Sequence, residues 1–184
     1  MVRFVTATAR SVLIAALLCL HCGSATGMED ELPGDIVTGL MPLAAYGLIK
    51  YKDDDEGEGQ FLRSVGFTLL INSSLRYALK DTDWSERPNG SPYGFPSGHA
   101  GFVVSNAAFL SERYGWKYGL PAYAASAYVM YVRVDTDHHR WRDVIAGGLL
   151  AYGLSHLFVT PVDATHIAPV VGPDYLGIRL GKSF

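Results

Sequence analysis

Residues 133–143 read Arg-Val-Asp-Thr-Asp-His-His-Arg-Trp-Arg-Asp, a knot of charge with two adjacent histidines between apolar runs at 118–132 and 144–162. Arg133 stands six positions before His139, and Asp143 four after it. If the helix that buries residue 144 onward begins near Arg140, His139 sits at its N-terminal edge and Asp143 one turn further on the same side. A carboxylate in reach of an imidazole fixes its tautomer and raises its basicity, which makes a neutral histidine a useful nucleophile. Taken alone, the stretch reads equally well as a polar loop ending in an ordinary helix cap. Two further clusters favour a site: Lys80 followed by Arg87-Pro88, and Pro96-Ser97-Gly98-His99 at the start of an apolar run.

Five helices are expected to hold these clusters. The first is the uncharged stretch 36–49, ended by Lys50-Tyr51-Lys52. Residues 53–59 are acidic and read as a solvated loop, without the ligand spacing of a calcium loop. The second helix covers 61–79, interrupted by Arg63, Asn72 and Arg76, and 81–96 is a loop rich in Pro, Gly, Asn and Ser. The third covers 98–114 with Ser97 placed to cap it. The fourth covers 118–132, with Pro121 tolerable in its first turn, and the fifth covers 143–159. Short connections between them predict an all-α fold, a compact helical bundle. The tail alternates weakly on either side of Gly172-Pro173-Asp174, which allows a short C-terminal β-hairpin.

At 184 residues the chain is one domain by length. Residues 1–27 read as a signal peptide: Arg3 and Arg10, a short apolar segment at 11–20, and Ala25-Thr26-Gly27 as a small-residue cleavage site before Met28. An N-terminal membrane segment is the alternative, although 12–20 is too short to span alone. Residues 28–184 form the working domain, with its motifs at 80–88, 96–99 and 133–143. Both cysteines, Cys19 and Cys22, fall inside the signal segment, so thiol chemistry is excluded from the mature chain. Without Arg3 and Arg10 the 15 basic residues become 13 against 18 acidic ones, a formal charge of −5. That balance argues against a nucleic-acid partner. Spanning a membrane takes about 20 mainly apolar residues, and only 144–162 approaches that. The expectation is export to the periplasm or cell envelope, in contact with the membrane surface, with an integral arrangement left open.

In order and spacing the three clusters resemble those of the type 2 phosphatidic acid phosphatase superfamily, which also includes bacterial class A acid phosphatases and vanadium haloperoxidases. The likeness runs from Lys80 to Asp143. One departure is Val132, where the family usually has serine; a hydroxyl near the site is lost but no catalytic group. The resemblance implies a phosphatase without metal or other cofactor. Lys80, Arg87 and Arg133 would bind the phosphate, an arginine fork suiting two of its oxygens. Ser97 would add a hydroxyl and Gly98 an amide at a helix N-terminus. His139 would attack phosphorus to give a phosphohistidine, Asp143 would hold its other nitrogen, and His99 would protonate the leaving oxygen and then activate water. Asp135, Asp137 and His138 could be imagined with His139 and Asp143 as a zinc or manganese site, which the family's chemistry does not use. Trp84, Tyr93 and Trp141 flank the motifs, either at a substrate mouth or in plain packing. The implied substrates are phosphate esters of envelope lipids: phosphatidic acid, phosphatidylglycerophosphate, undecaprenyl diphosphate or a lipid A phosphate. A soluble acid phosphatase of broad specificity is the main alternative. A haloperoxidase and a catalytically silent binding protein on the same scaffold are the others.

Overall fold

The computed structural model describes residues 28–162 and, beyond them, the backbone of two strands. The signal-segment reading of residues 1–27 lies outside the described residues. Five helices follow one another: α1 (Met28–Tyr51), α2 (Asp55–Ala78), α3 (Gly98–Tyr114), α4 (Trp116–Asp135) and α5 (Trp141–Phe158). The fold is an all-α bundle. At the chain's end the backbones of β1 (Thr165–Val171) and β2 (Leu176–Lys182) pair antiparallel, Thr165 opposite Lys182 and Val171 opposite Leu176.

Two element boundaries differ from the sequence reading, each for a physical reason. Helix α1 starts at Met28 rather than near Ile36, running through Pro33 and Pro42. The acidic run is not a solvated loop. Asp54 caps α2, its carboxylate accepting the Gly57 amide at 2.8 Å, and Asp55, Glu56 and Glu58 fill the first turn. Carboxylates there meet the positive end of the helix dipole. Arg113 then fixes this start to the far end of α3: its Nε donates to Asp54 Oδ2 at 2.8 Å, and the Tyr114 hydroxyl donates to the same oxygen at 2.8 Å.

Helix α3 is the middle of the molecule. Its sequence is small and apolar on nearly all sides, as a helix enclosed by others must be, and it packs most heavily on α4 and α5, then on α2 and α1. Phe61, Phe102 and Phe109 with Ile49 form one core cluster, and Met41, Val103, Ala107, Val129 and Ala151 the other. Fully burying a side chain of this size is worth about 1.5–3 kcal/mol. Two polar residues within α3 bond locally: Ser105 Oγ and Asn106 Nδ2 both donate to the Phe102 carbonyl, at 2.7 and 2.8 Å.

Large apolar side chains stand on the outer surface. Leu32, Ile36, Leu40 and Leu43 make an exposed stripe along α1, and Ile145, Leu149 and Leu157 point outward from α5. Contiguous exposed apolar surface of this kind marks contact with lipid or another protein. Among the described residues one helix, over Glu31–Tyr51, is long and apolar enough to cross a membrane; the segment 144–162, which looked the better candidate in sequence, is divided by the end of α5 at Phe158.

Because successive helices run up and down the bundle, one end of it gathers the starts of α1, α3 and α5 and the ends of α2 and α4. All three sequence clusters lie at that end.

Candidate active site

Ser97 caps α3, its hydroxyl accepting the Ala100 amide at 3.4 Å, which fixes where the helix starts. The turn between α4 and α5 brings Arg133, His138 and His139 to the same place: the His138 and His139 amides both donate to the Arg133 carbonyl, at 3.2 and 2.9 Å. The loop between α2 and α3 closes over them. It is tied to the turn by the Asn89 amide, which donates to the Asp137 carbonyl at 3.2 Å, and by Arg140, which donates to the Glu86 carbonyl. Arg142 lies over the Trp84 ring, 4.6 Å from its centroid, and Trp84 meets Phe95 edge to face. Trp84 is thus a packing element of this loop.

A small cavity of about 10 Å³ lies between these elements, lined by Arg76, Arg87, Gly98, His99, Arg133, His138 and His139. That is room for about one water. Much more space, about 830 Å³, opens at the other end of α3 around Lys52, Glu112 and Arg113. Volume does not mark this site; the convergence of cations and imidazoles does.

His139 is 3% exposed and its Nδ1–H donates to the Gly94 carbonyl at 2.8 Å. That bond fixes the tautomer and leaves the Nε2 lone pair free. Burial, then the positive charge of Arg87, pushes the imidazole down to about 3, so it is neutral at physiological pH. His99 is held well below the ordinary histidine value by burial and then by Arg133, His139, Arg76 and Arg87.

The carboxylate of Asp143 is placed differently from the sequence reading. Its Oδ2 stands 3.9 Å from His139 Nδ1, beyond hydrogen-bond reach. The same oxygen accepts the Arg140 amide at 2.8 Å, and the Asp143 carbonyl accepts the Ser97 amide at 2.9 Å. Asp143 therefore caps α5 and joins it to the start of α3, and Gly94 rather than Asp143 holds the imidazole. Ser97 is fully buried and does not line the cavity. Nor does Lys80, whose ammonium lies 4.7 Å from the Tyr77 ring centroid. Arg76, one turn earlier on α2, lines the cavity instead, its Nε donating to the Tyr93 carbonyl at 3.2 Å.

Two residues that sequence reading missed meet the site from α1. Arg133 donates from Nη1 to Glu31 Oε2 at 2.8 Å and from Nη2 to Asp35. Glu31 Oε1 also lies 3.0 Å from His138 Nε2, and Asp35 Oδ1 lies 3.7 Å from His99 Nε2. Their four-residue spacing puts both on one face of α1, but nothing in the sequence says which element that face meets. With His138 engaged by Glu31 and by the Thr136 carbonyl, the imagined metal set is not assembled. Among the described residues no group of three or more His, Cys, Asp or Glu side chains is placed to hold an ion.

Three arginines and three histidines meeting at a helix start can hold an anion, and comparison with known proteins gives the family. The family model of the PAP2 superfamily matches residues 61–165. The chain is 30% identical to "Lipid A 4'-phosphatase" of Helicobacter pylori (strain J99 / ATCC 700824) over 166 residues, 82% of this chain and 81% of that one. It is 33% identical to "Lipid A 1-phosphatase" of the same strain over 98 residues, about half of each. No solved structure matches it. The chain belongs to the PAP2 superfamily. It is a phosphoric ester hydrolase.

Proposed function

We propose that the protein is a metal-independent phosphatase of lipid phosphates in the cell envelope, working through a phosphohistidine on His139. The observation that carries this is one cavity lined by Arg76, Arg87 and Arg133, by Gly98 at the start of α3, and by His99, His138 and His139. Fixed donors of that kind strengthen as charge builds on the equatorial oxygens in the transition state. His139 Nε2 attacks phosphorus in line, the N–P bond forming as the bond to the leaving oxygen breaks. His99 gives that oxygen a proton. It then takes a proton from the water that attacks phosphorus, the N–P bond breaks, and inorganic phosphate leaves. In the empty site His99 is neutral. A bound phosphate dianion offsets the arginines that hold its proton affinity down, and so raises it toward the form a general acid needs. Lys80, further along the same loop, adds positive field rather than a direct contact. Asp143 acts through α5, keeping His139 and the start of α3 in register.

Lipid substrates and membrane association are supported by the outward apolar stripes of α1 and α5 and by the names of the relatives. Those names make lipid A phosphates the first substrates to try, beside phosphatidic acid, phosphatidylglycerophosphate and undecaprenyl diphosphate. The test is phosphate release from each of these and from soluble esters, with purified full-length protein in detergent and without. The expected result is turnover of detergent-dispersed lipids. Equal turnover of soluble esters without detergent would favour the broad-specificity reading, and no release from any ester would sink the enzyme assignment.

A further inference from the structure

Substrate is a phosphate ester, yet two carboxylates reach into its binding site. Arg133 is 2% exposed, and each of its terminal nitrogens gives one hydrogen to a carboxylate, Nη1 to Glu31 and Nη2 to Asp35. Its Nε is buried with no hydrogen-bond partner among the described residues. The cavity beside it admits about one water, too little for a phosphate group with its oxygens. Seating a phosphate needs a group to move aside, and the carboxylates on Arg133 are negative charges where the phosphate's own would come.

The two carboxylates are not equivalent. The Glu31 side chain is 8% exposed and bridges Arg133 and His138, at 2.8 and 3.0 Å. Releasing it would strand a buried charge and unpair two site residues at once. The Asp35 side chain is 35% exposed, holds Arg133 Nη2 alone, and stands on the His99 side of it, 3.7 Å from Nε2. Turning it out into solvent costs less, because Arg133 keeps Glu31 as its partner, and its place lies between the arginine and the proposed general acid.

Resting on the phosphatase reading above, we propose that Asp35 is a specificity-determining residue of the phosphate site. Its carboxylate holds the position on Arg133 that a phosphate oxygen takes, and substrate enters by displacing it. Glu31 is a positioning residue that keeps Arg133 and His138 in place throughout. The carboxylate sets a threshold: a monoanionic group offers Arg133 no more charge than Asp35 already does. A phosphate dianion, which also reaches Arg76, Arg87 and the start of α3, displaces it. The site then discriminates against singly charged phosphodiesters by competition within the protein.

The experiment measures KM and kcat on a phosphate monoester and binding of inorganic phosphate and vanadate, for full-length wild type, Asp35→Asn, Asp35→Glu and Glu31→Gln. Asp35→Asn should lower KM and tighten phosphate and vanadate binding roughly fivefold, the size of a partly exposed ion pair. Asp35→Glu, which restores the charge, should return both toward wild type. Glu31→Gln should move them the other way and loosen binding. If both residues merely hold α1 on the bundle, both neutral variants will shift affinity in the same direction, and the inference is overturned. It is equally overturned if Asp35→Asn leaves phosphate binding unchanged or weaker while the wild type binds phosphate and turns over ester. A wild type that neither binds phosphate nor hydrolyses any ester would instead remove the phosphatase reading, and this inference with it.

Discussion

Replacing Gly147 by alanine is the sharpest probe of how the site is positioned. A Cβ at Gly147 would lie 2.4 Å from the Ser97 carbonyl oxygen and 3.2 Å from the Gly101 amide nitrogen. Both are main-chain atoms of the start of α3, so no side chain can turn away to make room. Restoring ordinary contact means pushing α5 and α3 apart by about 1 Å, close to His99 at the start of α3 and two turns along α5 from the turn that holds His139. Overpacking of this kind costs about 1–3 kcal/mol, offset by about 1 kcal/mol of better helix propensity. Gly153, on the same helix, has nothing within 4 Å of its own added Cβ, so Gly153→Ala keeps the propensity gain and lacks the clash. The difference between the two variants isolates the clash, and at about 2–4 °C per kcal/mol for a chain of this size should appear as a gap of roughly 2–12 °C in Tm. A displacement of about 1 Å between catalytic groups costs on the order of 100-fold, so Gly147→Ala should lose about that much kcat/KM when assayed well below its own Tm. Thermal unfolding followed by circular dichroism, with rates on a single ester, tests both halves. If Gly147→Ala and Gly153→Ala match in Tm and in rate, the close approach of α5 to α3 does not position the site.

His139→Ala should abolish both turnover and covalent incorporation of labelled phosphate, whereas His99→Ala should lose roughly 10²–10⁴-fold on an alkyl or lipid ester and much less on a nitrophenyl ester, whose leaving group needs little acid help; label retained by the His139 variant would show that the roles are misassigned. Chelation with EDTA should leave the rate unchanged and vanadate should inhibit, so loss of turnover restored by added zinc would refute the metal-free reaction. Arg113→Ala should cost about 3–5 kcal/mol, because it leaves Asp54 buried without its charged partner, measured by denaturant unfolding. Burial acts to raise the Asp54 carboxyl, but Arg113, the Gly57 amide and Tyr114 outweigh it and hold it below the ordinary value. The stability this contributes is present in full above about pH 4 and is lost as pH falls through the lowered value; a wild type and an Arg113 variant with the same acid-unfolding profile would contradict that.

How far the sequence could be read depended on whether a residue's role is stated locally. The bounds of α3 follow from Ser97 before a run that is apolar on every side, and they were legible to the residue. That His99, Arg87, Arg133 and His139 come together was legible because three short clusters match one family's in order and spacing. The missed parts are long-range or belong to the main chain. Glu31 and Asp35 lie about a hundred residues from Arg133, and an acidic residue at a helix start looks like any other. Arg76 read as an interruption of an apolar helix, since nothing local says that the last turn of α2 faces a cavity. Asp143 sits at a spacing that serves an imidazole partner and a helix cap equally well, and the cap is what its oxygens make. The acidic stretch before α2 was misread because the arginine that gathers it comes from the far end of α3.

The Gly94 carbonyl has a consequence for how the enzyme can change. A hydrogen bond accepted by a side chain is lost when that side chain is replaced, so a scan of substitutions exposes it. One accepted by the main chain survives any replacement that leaves the loop's course intact, and the residue offering it leaves no chemical signature for such a scan to find. Here that course leaves no room for a side chain: a Cβ at Gly94 would lie 2.9 Å from the Ser85 carbonyl oxygen and 3.0 Å from Arg87 Cγ. The orientation of the His139 imidazole is thus encoded as the shape of a loop. A lineage can vary the residues around position 94 in their chemistry while remaining bound in their geometry, and a loss of the imidazole's orientation would be inherited there as a change of bulk, with every side chain that lines the cavity still in the sequence.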